Sequence, residues 1–271
     1  MTVDPIKPRT EKVRSEKVRL DKLLVDQGHA ASRERAQAMI LAGRVLVDEQ
    51  RIDKPGTSIR SEAIIRLLGS DLKYVSRGGL KLERALEHWN IQLNGLACVD
   101  IGASTGGFTD CMLQSGAVSV LAVDTGYGQI AQKLRDDERV VLRERTNARL
   151  LTNGELLGTN ATPAFFAMDV SFISVTLVLP AVLDALSTPL QRWNGSAVIL
   201  IKPQFEAGRL HVGKGGIVRD ADARQKAIER VRHSVISQGG KDMEVIDSPI
   251  RGMEGNHEYL LHTHFGDRAT L

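Results

Sequence analysis

Long apolar runs are scarce in this chain. The longest, Ala197 to Ile201 and Val175 to Ala185 with Pro180 and Asp184 inside it, fall far short of the ~18 uninterrupted residues a spanning helix needs, so no membrane helix and no stable membrane insertion are expected. Cysteine is nearly absent. Cys98 and Cys111 sit in or beside apolar segments, which argues against a disulfide framework and for packing roles in a reducing cytoplasm. Residues 1–17 are charged and lack the apolar stretch of a secretory signal; they are expected to form a polar leader. His257, His262 and His264 complete no zinc-ligand spacing, and no metal is expected. Neither a Walker A ending in Gly-Lys-Ser/Thr nor a full Gly-x-Gly-x-x-Gly fingerprint is present, which weakens ATPase and dehydrogenase readings.

What remains is an ordinary soluble composition, 42% apolar and 25% charged over 271 residues, comfortable for two domains. The net charge of +3 is unevenly spread: residues 1–80 carry 16 Lys and Arg against 11 Asp and Glu, residues 81–271 carry 20 against 22. A small basic module joined to a larger, near-neutral domain fits that distribution, as in a nucleic-acid-binding domain attached to a catalytic one. Solvated helix faces on a small domain would give the same charge count.

In the N-terminal third, Val18 to Leu24 reads as the start of a short amphipathic helix that Gly28 stops, and Ser32 as the N-cap of a second helix over Arg33 to Leu41. Arg44 to Asp48 alternates like a strand, residues 49–56 read as a turn region, and Ile59 to Leu68 contains another strand. The order Arg19-Leu20-Asp21-x-x-Leu24, Gly28, Ser32-Arg33-x-x-Ala36-x-x-x-Ile40, Gly43-x-Val45-x-Val47 and Lys54-Pro55-Gly56 resembles the S4 RNA-binding domain. The resemblance implies an RNA-binding α+β domain over residues 18–67, with Arg19, Lys22, Arg33, Arg35 and Arg44 as candidate phosphate contacts. Glu49-Gln50 stands where many such domains have a glycine turn. Residues 68–80 are expected to link it to a second domain, and Arg77 with Gly78-Gly79 to form either a simple turn or a contact to the RNA backbone.

From residue 81 to 271, strand-like apolar runs alternate with helical patterns, the mark of a Rossmann-like α/β domain built on a parallel sheet. Leu96 to Ile101 runs into a glycine-rich turn and then a helix, where backbone can approach a ligand closely. Asp124 ends the next strand, 18 residues after Gly106, and a carboxylate there can accept both hydroxyls of an adenosine ribose. Two further strands end in Asp169 and Lys202, and ligands of open α/β sheets bind outside the carboxyl ends of strands. With Lys81 and Glu258 these residues make a Lys-Asp-Lys-Glu set suited to ribose-hydroxyl chemistry.

Asp100-x-Gly102-Ala103-x-x-Gly106-Gly107 resembles the S-adenosylmethionine loop of class I methyltransferases, in particular ribose methyltransferases of the FtsJ type, with Thr105 where such loops commonly have proline. Lys81 in Ser76 to Leu82, Asp169 in Met168 to Ser174, Lys202 in Ile201 to Glu206 and Glu258 in Gly255 to Tyr259, together with the S4-like module, resemble the TlyA family of ribosomal-RNA 2′-O-methyltransferases, whose members are often labelled hemolysins. That resemblance implies S-adenosylmethionine held by Asp100, Gly102, Ala103, Ser104, Thr105, Gly106, Gly107, Phe108, Asp124 and Asp169, catalysis by Lys81, Asp169, Lys202 and Glu258, and a cytidine of ribosomal RNA in an assembled subunit as substrate.

Methyl transfer to a 2′-hydroxyl is an in-line displacement in which the nucleophile must lose a proton, so a base beside it is useful. Lys202 is the expected base; the neighbouring Lys81 cation and partial desolvation favour its neutral form, and Asp169 opposes it. Asp169 is therefore expected to orient Lys202 and the cofactor, with Glu258 and Lys81 holding the hydroxyl and the lysine network. Gly208 to Gly216 reads as a basic loop able to close over RNA, Asn147 as a cap or an adenine contact, and Asp220 to Gln238 as an amphipathic helix on the sheet. A noncatalytic RNA-binding or ribosome-assembly protein is the alternative, and a membrane-active hemolysin a more distant one.

Overall fold

The computed structural model describes residues 17–30, 32–68, 73–157, 162–252 and 255–267, and the chain divides into two compact units, Met1–Asp71 and Leu72–Leu271. The expected leader, except for Lys17, lies outside the described residues.

In the first unit, strand β1 (Lys17–Arg19) pairs antiparallel with β4 (Ser58–Arg60), Val18 opposite Ile59. Helix α1 (Leu20–Asp26) therefore begins two residues later than the apolar pattern suggests, because Val18 is held in a ladder. Helix α2 (Arg33–Leu41) starts where Ser32 Oγ accepts from Arg35 N at 3.2 Å. The two helices bury Leu20, Leu24, Ala36 and Ile40 completely. Strand β2 (Val45–Val47) lies between β3 (Gln50–Arg51) and β5 (Ile65–Leu67). The β2–β3 turn that lacks glycine is made by Asp48 and Glu49, both left-handed at φ 48° and 66°. Asp48 Oδ1 accepts from Ile64 N at 3.0 Å, and Glu49 forms a bidentate pair with Arg66 at 2.8 and 2.5 Å.

Asp21 on α1 is fully buried. Its carboxylate accepts from Arg19 Nε and Nη2 at 3.0 and 2.9 Å, Arg33 Nη2 at 3.0 Å and Gln37 Nε2 at 3.0 Å. The Arg19 hydrogen bonds, against the opposing effect of burial and with help from Gln37 and Arg33, hold this carboxyl well below the usual range.

The second unit adds α3 (Gly78–His88), β6 (Ala97–Ile101), α4 (Gly107–Gln114), β7 (Ser119–Val123), α5 (Gln132–Arg135), β8 (Val140–Arg143), β9 (Phe165–Met168), α6 (Val175–Ala185), β10 (Gly195–Ile201), α7 (Pro203–Glu206), α8 (Ala221–Ser237), β11 (Lys241–Asp247) and β12 (Tyr259–Phe265). Its seven-stranded sheet has the order β11-β12-β10-β9-β6-β7-β8, with β10 to β8 parallel and β12 antiparallel to both neighbours. Alternation along the strands divides the core. Phe166 and Met168 pack with α6 and α8, and Phe165 and Ala167 with α3 and α4. Cys98 and Cys111 belong to the second layer, and burial pushes both thiols up to about 12. They are packing residues, as the sequence suggests.

The segment read as a linker, 68–80, is in its second half part of this unit. Tyr74 is buried in the α3–α4 layer, and Gly78-Gly79 forms the first turn of α3 instead of a free turn. A Cβ on Gly79 would overlap the Tyr74 ring, and one on Gly107 would come within 2.9 Å of Gly79 N, so the glycines let α3, α4 and this segment approach closely. Gly79→Ala is accordingly expected to destabilise the protein by about 1–3 kcal/mol through overpacking. Gly78→Ala, whose nearest contact would be 3.4 Å away, is expected to be neutral or stabilising. Urea unfolding of the two variants measures the contrast.

Candidate active site

Connections leave β6 toward β7 and β8 on one side and β9 toward β10 on the other, which opens a crevice at the carboxyl ends of β6 and β9. At its floor, Asp169 N donates to Ile101 O at 2.8 Å. Gly102 follows with φ +89°, and a Cβ there would overlap the Asp169 carbonyl oxygen. Only glycine lets the two strand tips come this close.

The turn then passes through Ser104 at φ 49° and Gly106 at φ 92°, which caps α4. Asp124, after β7, accepts from Ser104 N at 2.8 Å through Oδ2 and from Gly126 N at 2.6 Å through Oδ1. Each oxygen keeps a further acceptor position. Ser104 and Thr105 are exposed, Ala103 is buried, and the Phe108 ring lies in the α3–α4 core layer, so Phe108 supports the turn from beneath. Gly107 abuts the Ser76–Gly79 segment.

Asp100 is fully buried; its Oδ2 accepts from Thr109 Oγ1 at 2.6 Å, and Oδ1 has no hydrogen-bond partner among the described residues. Burial pushes its carboxyl up to about 7, reinforced by the Asp169 and Asp124 charges and opposed by the Thr109 bond.

The structure brings together all four members of the Lys-Asp-Lys-Glu set. Lys81 Nζ, on α3, lies 2.6 Å from Glu258 Oε2 and 3.9 Å from Asp169 Oδ2. Lys202 Nζ, at the tip of β10, lies 2.6 Å from Asp169 Oδ1 and donates to Ser171 Oγ at 2.6 Å. Their side chains are 3% to 19% exposed, so the set is a nearly enclosed double ion pair. Each ammonium thus faces a carboxylate oxygen at 2.6 Å. Gly252 leaves room for this carboxylate, since a Cβ there would lie 2.6 Å from Glu258 Oε1.

The expected RNA-contacting residues divide. Arg19 and Arg33 are anchored on Asp21 with their side chains about half exposed (54% and 53%), and Arg44 Nε donates to Leu68 O at 3.2 Å. Lys22 and Arg77 are exposed, the latter as the N-cap of α3, and Arg35 is half-buried in the first turn of α2. Asn147 caps a short turn by accepting from Arg149 N at 3.1 Å. The end of the Gly208–Gly216 loop is held from outside it: buried Asn256 donates to Gly216 O at 2.8 Å and accepts from Val218 N at 3.0 Å.

Three features at the site went unassigned from sequence. Ser171 fixes Lys202 Nζ. Phe172 is 92% exposed at φ +65° beside it. Glu206, 2% exposed, accepts from Ser174 Oγ at 2.5 Å and Val175 N at 2.7 Å. Glu206 gave no local signal, since it follows Lys202-Pro203-Gln204-Phe205 in a mixed phrase five residues past the end of β10.

Comparison with known proteins accords with this geometry. The FtsJ-like methyltransferase family matches residues 74–265, and the S4 domain matches residues 18–65. A candidate rRNA methyltransferase of Bacillus subtilis, YqxC, is 48% identical over 89% of this chain and 84% of its own length. The Mycobacterium tuberculosis protein named 16S/23S rRNA (cytidine-2′-O)-methyltransferase TlyA is 42% identical over 88% of this chain and 86% of its own. The chain belongs to the TlyA family of FtsJ-like methyltransferases. A solved structure of a candidate hemolysin from Streptococcus thermophilus, 42% identical, superposes with a TM-score of 0.68 over 93% of this chain and 89% of that one. Among the described residues no helix is long and apolar enough to cross a membrane.

A raised folded-state pKa at Asp100 means that the protonated form is favoured by folding: the associated stability is fully present below the unfolded value near 4 and is lost as pH rises through about 7. Asp100→Asn keeps the Thr109 bond without ionising, so its unfolding free energy is expected to fall less than that of the wild type between pH 4 and pH 8. Parallel urea titrations across that range measure the difference.

Proposed function

We propose that this protein is an S-adenosylmethionine-dependent 2′-O-methyltransferase of ribosomal RNA, acting on cytidine in an assembled ribosomal subunit in the cytoplasm. The observation that carries the reading is the enclosed Lys81–Glu258 and Asp169–Lys202 double pair at the carboxyl ends of the central strands. The names of the family's rRNA-modifying members supply the substrate class.

The crevice fits the cofactor. Asp124 and Asp169 follow the ends of β7 and β9, Asp100 is the penultimate residue of β6 between them, and the buried Asp100 Oδ1, without a hydrogen-bond partner among the described residues, suits a ligand that carries positive charge and hydrogen-bond donors. Asp124 retains acceptor positions for ribose hydroxyls, and the Gly102–Gly107 turn brings backbone to the crevice. When bound, S-adenosylmethionine supplies an electrophilic methyl group on a sulfonium.

The chain's own residues then have distinct tasks. Lys202, once its ammonium has given up a proton, takes the 2′-hydroxyl proton at Nζ, while Ser171 Oγ fixes the direction of that nitrogen. Asp169 orients Lys202 and borders the crevice through the strand contact at Ile101. Lys81, held by Glu258, stabilises the oxygen as its negative charge develops. The exposed Phe172 ring offers a face on which an unstacked base rests, and the S4 unit supplies affinity for structured RNA through its basic side chains.

Transfer of labelled methyl groups to ribosomal subunits lacking the modification, with the modified nucleoside identified by mass spectrometry, tests the reading. Wild-type protein is expected to give a 2′-O-methylcytidine, and Lys202→Ala to lower kcat by roughly 10²–10⁴-fold with cofactor affinity nearly unchanged. No transfer to either subunit would move the assignment to a noncatalytic RNA-binding role or another RNA; full turnover by Lys202→Ala would remove the base.

A further inference from the structure

Asp169 and Lys202 stand on different strand tips, so the site requires something to keep those tips in register. Helix α7 follows Lys202 directly, and its single turn touches the segment after β9 at three successive points. Lys202 engages Asp169 and Ser171, each at 2.6 Å. The Phe205 ring lies 5.4 Å from the Phe172 ring. Glu206 then accepts from Ser174 Oγ at 2.5 Å and Val175 N at 2.7 Å. The contacts run in the same order along both segments.

Simple capping of α6 does not explain Glu206. Ser174 already caps that helix by accepting from Thr176 N at 3.2 Å, whereas Glu206 reaches in from another element and is 2% exposed. Burial raises its pKa, opposed by the Ser174 and Val175 bonds, while Arg230 Nη1 donates to its backbone carbonyl at 3.1 Å and anchors α7 from α8. Between the two grips, Phe172 occupies the left-handed region at φ +65°, which an aromatic residue adopts only where its surroundings impose it. Two holds on one short segment supply that constraint.

We propose that Glu206 is a positioning residue for methyl transfer: its carboxylate clamps the Asp169–Ser174 segment to the tip of β10, and thereby sets the Asp169–Lys202 pair and the presentation of Phe172. The inference rests on the methyltransferase reading, but the clamp itself can be measured without turnover.

Glu206→Ala, Glu206→Gln and wild type are compared in the full chain by hydrogen exchange of the 169–175 segment and by labelled methyl transfer to ribosomal subunits. In Glu206→Ala the segment is expected to exchange at least about tenfold faster, and kcat to fall roughly 10- to 100-fold, with KM for S-adenosylmethionine and for the subunits within about threefold of wild type. Glu206→Gln is expected to recover most of both, since its amide oxygen accepts from Val175 N and its amide nitrogen donates to Ser174 Oγ. Wild-type exchange or wild-type kcat in Glu206→Ala, or a Gln variant as impaired as the Ala variant, would overturn the proposal. If Glu206→Ala does not fold, Ser174→Ala breaks one arm of the clamp and is expected to show smaller losses in the same two readouts; unchanged values there would overturn it. Absence of methyl transfer by wild type would count against the function reading, and the exchange result would still decide the clamp.

Discussion

The close approach of two strand tips, β6 at Gly102 and β9 at Asp169, is the constraint on which the catalytic unit depends. The Asp169 amide bonds to Ile101, and the space a side chain would take at Gly102 is filled by the Asp169 carbonyl. One junction thus ends both strands, starts the glycine-rich turn and fixes the carboxylate between the two lysines. A larger residue at Gly102 would separate the glycine-rich turn from Asp169, and with it from the double ion pair. The sheet order adds the rest: chain connections diverge on either side of this junction, so among the described residues no crossover between neighbouring strands passes over it.

Burying charge is costly unless each charge is matched. The two halves of the crevice meet this condition differently. Lys81, Asp169, Lys202 and Glu258 are balanced among themselves, two ammonium groups to two carboxylates. Asp100 is not balanced, and its neighbours Asp169 and Asp124 are also acidic; its carboxyl is accordingly driven up to about 7. A site balanced on one side and short of positive charge on the other is matched to a cationic ligand on the second side only. On the proposed function, that asymmetry would separate the place where a proton moves from the place where a charged cofactor is held.

The core and the strand tips were legible in the sequence because both follow from periodicity. Asp169 and Lys202 end uninterrupted apolar runs, and a polar residue there has nowhere to go but the sheet's edge. The turn alternative for Gly78-Gly79 fails, since a glycine pair reads locally as a turn, whereas here it opens helix α3 and permits it to pack against Tyr74 and Gly107, the latter a neighbour unreadable from a local window. Val18 read as helical because its pairing with Ile59 is likewise nonlocal. Charge was the least legible feature. Arg19 and Arg33 look like free cations in a basic segment, and buried Asp21 organises both; Glu206 looks like a surface acid after a strand and is almost wholly enclosed. A buried polar group is tolerated only through partners, and partners are supplied by the tertiary fold.

Backbone strain follows the same division between ordinary and functional positions. In the second unit, Asn90 and Asp242 have positive φ for structural reasons, one just past the end of α3 and one at the irregularity in β11. Ser104, Arg145 and Phe172 differ. They lie in the loops after β6, β8 and β9, all at carboxyl ends of parallel strands, and each is held by specific contacts: Ser104 N to Asp124, the Arg145 guanidinium over the Tyr127 ring at 4.2 Å, Phe172 between the grips of Lys202 and Glu206. Glycine would relieve the backbone at any of the three. Side chains there are kept at the expense of local stability, and the expense falls along one edge of the sheet, where a ligand and a nucleotide would be received. Two of the strained positions, Ser104 and Phe172, therefore follow the same two strands, β6 and β9, whose tips carry the charged residues, one marked through the backbone and the other through electrostatics.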